Sequence, residues 1–345
     1  MTELQRTYGN FRLRGEVQGL QRKYAFQDEP TKSGWDKHEL RFDVKTSDDN
    51  IVTVQMEGIK FDNVRITPKD RDDKQTKDLT YSEDVYDEIP EDWEVFMGHK
   101  VGLEQGDDGK NVLKEFTNFD AAKYIYDNLE DGDHVFIVGN LNINAYTNRK
   151  GEDIVRMQHE IKNIYKSNNE FDPSAEDFEE ISSFDQQLII NDVDLDKKQK
   201  KAFVNAFLVH DKDKNFANFQ FWVDGEKYAK FAKNLSKLPY GTFLKVEGNL
   251  LSTVTYEQQE ESDDDGWGES PSGYEKRAIK NVNKSYEITK ALPETIEEGK
   301  YSPEDFVKEE PSNGDDPFSD SVEEPGEWGE SDSSGSQEDD PFGEW

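Results

Sequence analysis

Aromatic rings interleaved with arginine and lysine recur along this 345-residue chain where strand-like alternation turns side chains outward. Arg12 and Arg14 alternate with Phe11, Leu13 and Val17; Arg41 and Lys45 alternate with Leu40, Phe42 and Val44; Trp222 stands between Phe221 and Val223. Lys23, Tyr24 and Trp35 lie between the first two such stretches. Tyr146, Arg149 and Lys150 form a later loop, matched downstream by Tyr256, while Lys162 and Tyr165 close the first half and Lys280 and Lys284 the second. These residue types do non-covalent chemistry: rings stack on bases and cations neutralise phosphates.

Signals for other chemistry are weak. The chain has no cysteine, which removes disulfides and thiolate ligands and points to a reducing compartment. Its five histidines, His38, His99, His134, His159 and His210, lack metal-ligand spacing and read as surface or hydrogen-bonded core residues. Neither a phosphate-binding glycine loop nor a nucleophile elbow occurs, and acidic residues at this density pair by chance. The expectation is a protein that is not an enzyme and takes no cofactor, metal or small-molecule substrate. The sequence shows no membrane-length apolar run and no leader segment, so a cytoplasmic location is expected.

The net charge of -35 argues at first against a nucleic-acid partner, but it is unevenly spread. From residue 291 to 345 there are 19 Asp and Glu against Lys300 and Lys308, which leaves 40 of the 42 basic residues in the body. The tail is rich in Glu, Ser, Gly and Pro and nearly free of aliphatic residues, a composition that predicts disorder because too little apolar surface offsets chain entropy.

The elements that must position these residues come from a repeat. "HVFIVGNLNINAYTN" (134–148) is echoed by "FLKVEGNLLSTVTYE" (243–257), and "IKNIYKS" (161–167) by "IKNVNKS" (279–285), each preceded by a helical stretch. Alternation predicts strands over 11–17, 38–46 and 50–58, with "SDDN" as a turn. "QQLIINDVD", "KAFVNAFLVHD" and "NFANFQFWVDG" take the same places in the second copy. The order β-β-β-α-β-β is that of the oligonucleotide-binding (OB) fold. The expected class is therefore all-β with small helices: two tandem OB-fold five-stranded barrels followed by a disordered acidic tail.

The predicted domains are 1–167, with an insertion at about 59–115; an acidic linker, 168–185; a second barrel, 186–290, with an acidic loop at 257–273; and the tail, 291–345. "EDWEVFMGHKVGLEQGDDGKN" within the insertion predicts a further hairpin. The acidic loop "ESDDDGWGES" beside the presumed groove would repel phosphate or occupy the groove itself.

The tetrapeptide DDPF appears twice in the tail, as Asp315, Asp316, Pro317 and Phe318 and as Asp339, Asp340, Pro341 and Phe342. OB body, acidic low-complexity linker and a tip of aspartates followed by Pro-Phe together resemble bacterial and phage single-stranded DNA-binding proteins. The resemblance implies a protein that coats single-stranded DNA largely without sequence preference during replication, recombination and repair, and that recruits enzymes through its tips. Phe would plug an apolar pocket, the aspartates would meet a basic rim, and Pro would limit the unbound conformations. The chain departs from the family in having two barrels, an insertion, a duplicated tip and Gly343, Glu344 and Trp345 beyond the last Phe, so Trp345 carries the terminal carboxylate. Elaborated tandem barrels look more like a phage-encoded version, in a bacterial host's cytoplasm. The rival reading takes the net charge at face value: an acidic decoy or adaptor that binds a basic host protein.

Overall fold

In β1 (Gly9–Gln18) buried and outward residues alternate, which places Phe11, Leu13 and Val17 inside and leaves Arg12 in solvent. The computed structural model describes residues 3–147, 153–167, 171–210, 215–257 and 279–307, with the side chains of 147, 153, 253–257 and 279–283 outside the description. A short β2 (Phe26–Asp28) borders β3 (Lys37–Ser47), whose Leu40, Phe42 and Val44 face the core together with Val52, Val54 and Met56 of β4 (Asn50–Ile59).

The chain then makes β5 (Asn63–Pro68), β6 (Lys77–Thr80) and β7 (Trp93–Val95), a separate three-stranded sheet, and β8 (His99–Gln105) with β9 (Asn111–Phe116), the hairpin expected in the insertion. It returns through α1 (Asn118–Asn128) to β10 (His134–Thr147) and β11 (Asp153–Lys166). Thr117 caps α1, its hydroxyl accepting from the Asp120 amide, and Phe119, Ala121, Ala122 and Ile125 bury the helix's inner face. β1 pairs with β3 and β10, β3 with β4, β10 with β11, and β11 in parallel with β4, which closes the barrel in OB order.

The second barrel repeats the closure with β12 (Ser182–Asp196), β13 (Lys201–Val209), β14 (Phe216–Asp224), α2 (Ala229–Leu235), β15 (Phe243–Glu257) and β16 (Ile279–Ala291), closing on the parallel pair of β14 with β16 as the first closes on β4 with β11, which also pairs in parallel with β8 of the insertion. The two first strands also pair with each other, antiparallel, with Phe11 opposite Phe184. This joins the barrels into one continuous sheet around a local two-fold, and neither β1 nor β12 is left as an open edge.

One of the two sequence echoes is real in space and the other is not. Gly139 and Gly248 each follow a register shift, face Phe11 and Phe184 respectively, and pair with Ile161 and Ile288. The structural counterpart of Ile161 is therefore Ile288, whereas Ile279 pairs far out on the hairpin with Glu257. The IKN repeat is thus out of register. Counted from the same glycines, Tyr146 matches Thr255 rather than Tyr256.

The expected boundaries also shift. β12 begins at Ser182, inside the expected linker, and the segment after residue 291 does not leave the barrel at once. Tyr301 and Phe306 are buried, Phe306 stacking on Phe207 at 4.2 Å, and the folded unit runs from Met1 to Phe306. A second unit spans Val307–Trp345, and both DDPF motifs and Trp345 lie outside the described residues, as do Arg149, Lys150 and most of the acidic loop. Composition missed the 292–306 segment because two aromatics suffice to anchor it.

Asn50, at the β3–β4 turn, ties the first barrel to the second. Its buried amide donates to Glu180 Oε1 (2.8 Å), Ser182 Oγ (3.1 Å) and the Leu250 carbonyl (3.0 Å), and its carbonyl accepts from the Ser252 amide (2.7 Å). Asn50→Ala strips four partners at once and is expected to lower unfolding free energy by about 2–3 kcal/mol. Urea denaturation of the full chain checks it; a loss within error of zero would show that water replaces the amide.

Candidate nucleic-acid interface

The seam between the barrels is lined by residues that no single barrel supplies. His159 of β11 is buried, with Nδ1 2.9 Å from the Thr53 carbonyl and Nε2 2.9 Å from the Tyr286 hydroxyl of β16. The carbonyl must accept, so Nδ1 carries the proton and Nε2 accepts from the phenol. Burial, then the charge of Lys284, pushes the His159 pKa down to about 3, and burial pushes the Tyr286 phenol up. By the shared register, His159 and Tyr286 are counterparts in the two barrels, meeting across the two-fold. Tyr286 also packs edge-on against Phe184 and Phe219, and His159 against Phe11, so the seam is an aromatic belt.

Over this belt sit three cations from three strands: exposed Arg41 of β3, Arg156 of β11 and Lys284 of β16. Desolvation among neighbouring protein atoms, then the charges of Arg41 and Arg156, lower the Lys284 pKa against the opposing pull of Asp43. Asp43 is itself held by Arg22 at 2.7 Å and by the Thr53 hydroxyl at 2.7 Å. The Arg156 guanidinium lies 5.7 Å from the Tyr146 ring, which is 40% exposed. Arg41 and Arg156 thus each repel Lys284 in the free protein, a repulsion that a nearby anion would relieve.

The remaining sequence-chosen residues fall into four groups. Tyr24 is 66% exposed under Lys23 at 5.2 Å, and Arg12 stands free on β1. Others are taken up by the protein itself: Arg14 donates to the Glu179 carbonyl, Lys45 pairs with Asp48 at 2.8 Å, and Tyr165 is half-buried beside β8. Trp222 is half-buried under the Lys201 ammonium at 4.0 Å, so one ring face is occupied. Trp35 and Lys162 lie apart from the seam group, in a cleft bounded by the inserted sheet. Tyr256 and Lys280 face each other in the β15–β16 register, and their side chains lie outside the description. Sequence reasoning missed Arg156, although its parity with Gln158 and Glu160 on β11 is readable in "IVRMQHE".

Among the described residues no cluster of three or more His, Asp or Glu could hold a metal, and no helix is long and apolar enough to cross a membrane.

Two OB barrels fused edge to edge, with cations gathered over their seam, define a tandem OB-fold protein. Residues 11–315 match the YorF family model, and the chain belongs to the YorF family. No curated protein matches it. Among solved structures it is similar to a deletion mutant of the single-stranded DNA binding protein from Thermus aquaticus, at 14% identity and a TM-score of 0.39, over 89% of this chain and 98% of that one. The wild-type form of that protein is similar at 14% identity and a TM-score of 0.39, over 87% of this chain and 96% of the other.

Proposed function

We propose that this protein binds single-stranded DNA across the barrel seam, with largely sequence-independent affinity, and that it acts in replication or recombination. The observation that supports the reading is the convergence of Arg41, Arg156 and Lys284 from both barrels in a chain whose net charge is -35. So acidic a protein brings two arginines close enough to repel Lys284, and phosphates would relieve that repulsion. Tyr146 beside Arg156, and Tyr24 beside Lys23, would stack bases as the backbone tracks the cations. In this reading each barrel is one binding module, and the tail tips, Asp315 to Phe318 and Asp339 to Phe342 with Trp345, dock replication and recombination enzymes.

The test is fluorescence anisotropy of labelled oligothymidine against the full chain and its triple variant Arg41→Ala, Arg156→Ala, Lys284→Ala, over a range of salt. Loss of three phosphate contacts is expected to flatten the log–log salt slope by about 2 and to weaken binding about a hundredfold at low salt. An unchanged slope would remove the seam as the site. If the wild type binds no DNA and instead captures basic proteins, the decoy reading replaces this one.

A further inference from the structure

The inserted sheet has a small core of its own, formed by Val64, Ile66, Val85 and Val95, and it is anchored on the start of α1. Tyr81 donates to Asp120 Oδ1 at 2.8 Å and Tyr86 donates to Asp120 Oδ2, both hydroxyls held protonated by burial and by that carboxylate. Anchored there, the sheet stands off the β10–β11 face and leaves a cleft of about 740 Å³ between them. Its apolar residues are open to solvent to a degree rare for their type: Trp35 49%, Phe61 60%, Phe96 46% and Met97 75%.

The backbone shows that this exposure is built. Met97 has φ 58, a left-handed conformation that costs an unbranched side chain on the order of 1 kcal/mol. The turn is held by Lys162, whose ammonium donates to the carbonyls of Met97 (2.9 Å) and Gly98 (2.8 Å). Lys162 thus clamps the rim, which gives that residue a different role from the phosphate contact the sequence suggests.

The other wall is polar. Asn142 gives one amide N–H to Glu160 and Asn118 gives one to the Glu57 carbonyl, so each amide keeps a second N–H and an accepting oxygen, while the second Glu160 carboxylate oxygen can only accept. Arg6, in the lining, supplies a cation. Rings on one wall, the Glu160 carboxylate among amides on the other and the Arg6 guanidinium in the lining suit a flat, apolar-faced group with a hydrogen-bond donor on its edge, attached to an anionic backbone. Adenine, cytosine and guanine carry an exocyclic amino group, whereas thymine presents carbonyls in those places.

We infer that the cleft between the inserted sheet and the β10–β11 face takes unstacked, amino-bearing nucleobases of a bound single strand, so that the insertion adds base preference to an otherwise indifferent seam. The inference rests on the single-strand reading above, and the following test separates the two.

Anisotropy titrations of the full chain with oligocytidine and oligothymidine of equal length are compared with those of the double variant Phe61→Ala, Met97→Gly. Both side chains are exposed, and glycine relaxes the positive φ, so the variant should fold with an unchanged or raised melting temperature. The wild type is expected to prefer oligocytidine, and the variant to lose about tenfold on it and to bind both oligomers alike. Trp35 fluorescence, assigned by difference against Trp35→Phe, should be quenched by oligocytidine in the wild type only. If the double variant binds both oligomers as the wild type does while the seam variant is weakened, the single-strand reading stands and the cleft proposal falls. Equal wild-type affinities for the two oligomers overturn it as well. Should the wild type bind neither oligomer, both readings fall together.

Discussion

Acidification from pH 6.5 to pH 4 is expected to strip this protein of much of its stability, through two buried histidines whose pKa values fall to about 4 at His99 and about 3 at His159. His99 is lowered first by burial and then by the charge of Lys162, while its Nδ1 sits 3.1 Å from the Lys162 carbonyl; His159 is lowered by burial and then by Lys284. Both are therefore neutral in the folded state at a pH where an unfolded chain has already bound their protons. The unfolded state binds more protons in that window, so stability is complete above the ordinary imidazole value and falls with pH below it. Each site contributes about 3 kcal/mol of loss by pH 4, roughly 6 together, comparable to the whole stability of many domains.

For His159 the loss has a structural address. A protonated imidazolium would present N–H to the Tyr286 oxygen from a dry seam, beside Lys284, and would set the barrels against each other. Urea midpoints measured from pH 7 to pH 4 would show the slope, and His159→Gln should flatten it while lowering stability at pH 7 through the lost seam hydrogen bond. A wild-type profile level across that range would show that the imidazoles are reached by water and titrate normally.

The second large effect is expected at two glycines. A Cβ on Gly139 would lie 2.1 Å from the Glu160 carbonyl oxygen and 2.4 Å from the Phe11 ring. On Gly248 it would lie 1.9 Å from the Glu287 carbonyl oxygen and 2.8 Å from Phe184. In both places the nearest atom is backbone, so no rotamer change relieves the contact and the strand pair must open at its bulge. Gly139→Ala and Gly248→Ala should each cost about 3 kcal/mol or more, beyond the usual range for a single added methyl. Thermal melts of the two variants provide the measurement, and losses under about 1 kcal/mol would mean that the bulges absorb the methyl group.

Phe11 and Phe184 are the rings against which these glycines pack, and they also face each other across the two-fold. The same short motif therefore serves each barrel's closure and the joint between barrels. That explains why "GNL" recurs legibly at 139–141 and 248–250 while the surrounding residues differ: the space allows only glycine, whereas the outward positions are free to vary.

Much of the architecture was legible in the residues. Period-two alternation is a local property of a strand with one buried face, so Phe11, Leu13 and Val17, or Leu40, Phe42 and Val44, announce both the strand and its inner side without reference to any partner. The Thr117 cap and the apolar face behind it mark α1 in the same local way. Of the insertion only the β8–β9 hairpin was legible, because the strands of the separate sheet are short and its core is four valine and isoleucine side chains closed by tyrosines from the intervening loops and by Trp93 of β7.

The functional surface divides along the same line. By itself the sequence determined that the chain is two copies of a β-β-β-α-β-β unit, that its basic residues lie in the body and its acids crowd the tail, and that Trp35 projects from a loop, whereas Tyr146, expected in a loop, lies within β10. Only the tertiary structure decided that Arg41 and Arg156 come close enough to Lys284 to act on its charge, that Arg14, Lys45 and Lys162 are committed to Glu179, Asp48 and the Met97 turn, and that the IKN echo is out of register. The reason is physical: alternation says which face a side chain takes, but the meeting of cations from strands more than a hundred residues apart depends on hydrogen-bond register and on the β1–β12 pairing, which non-local contacts alone select.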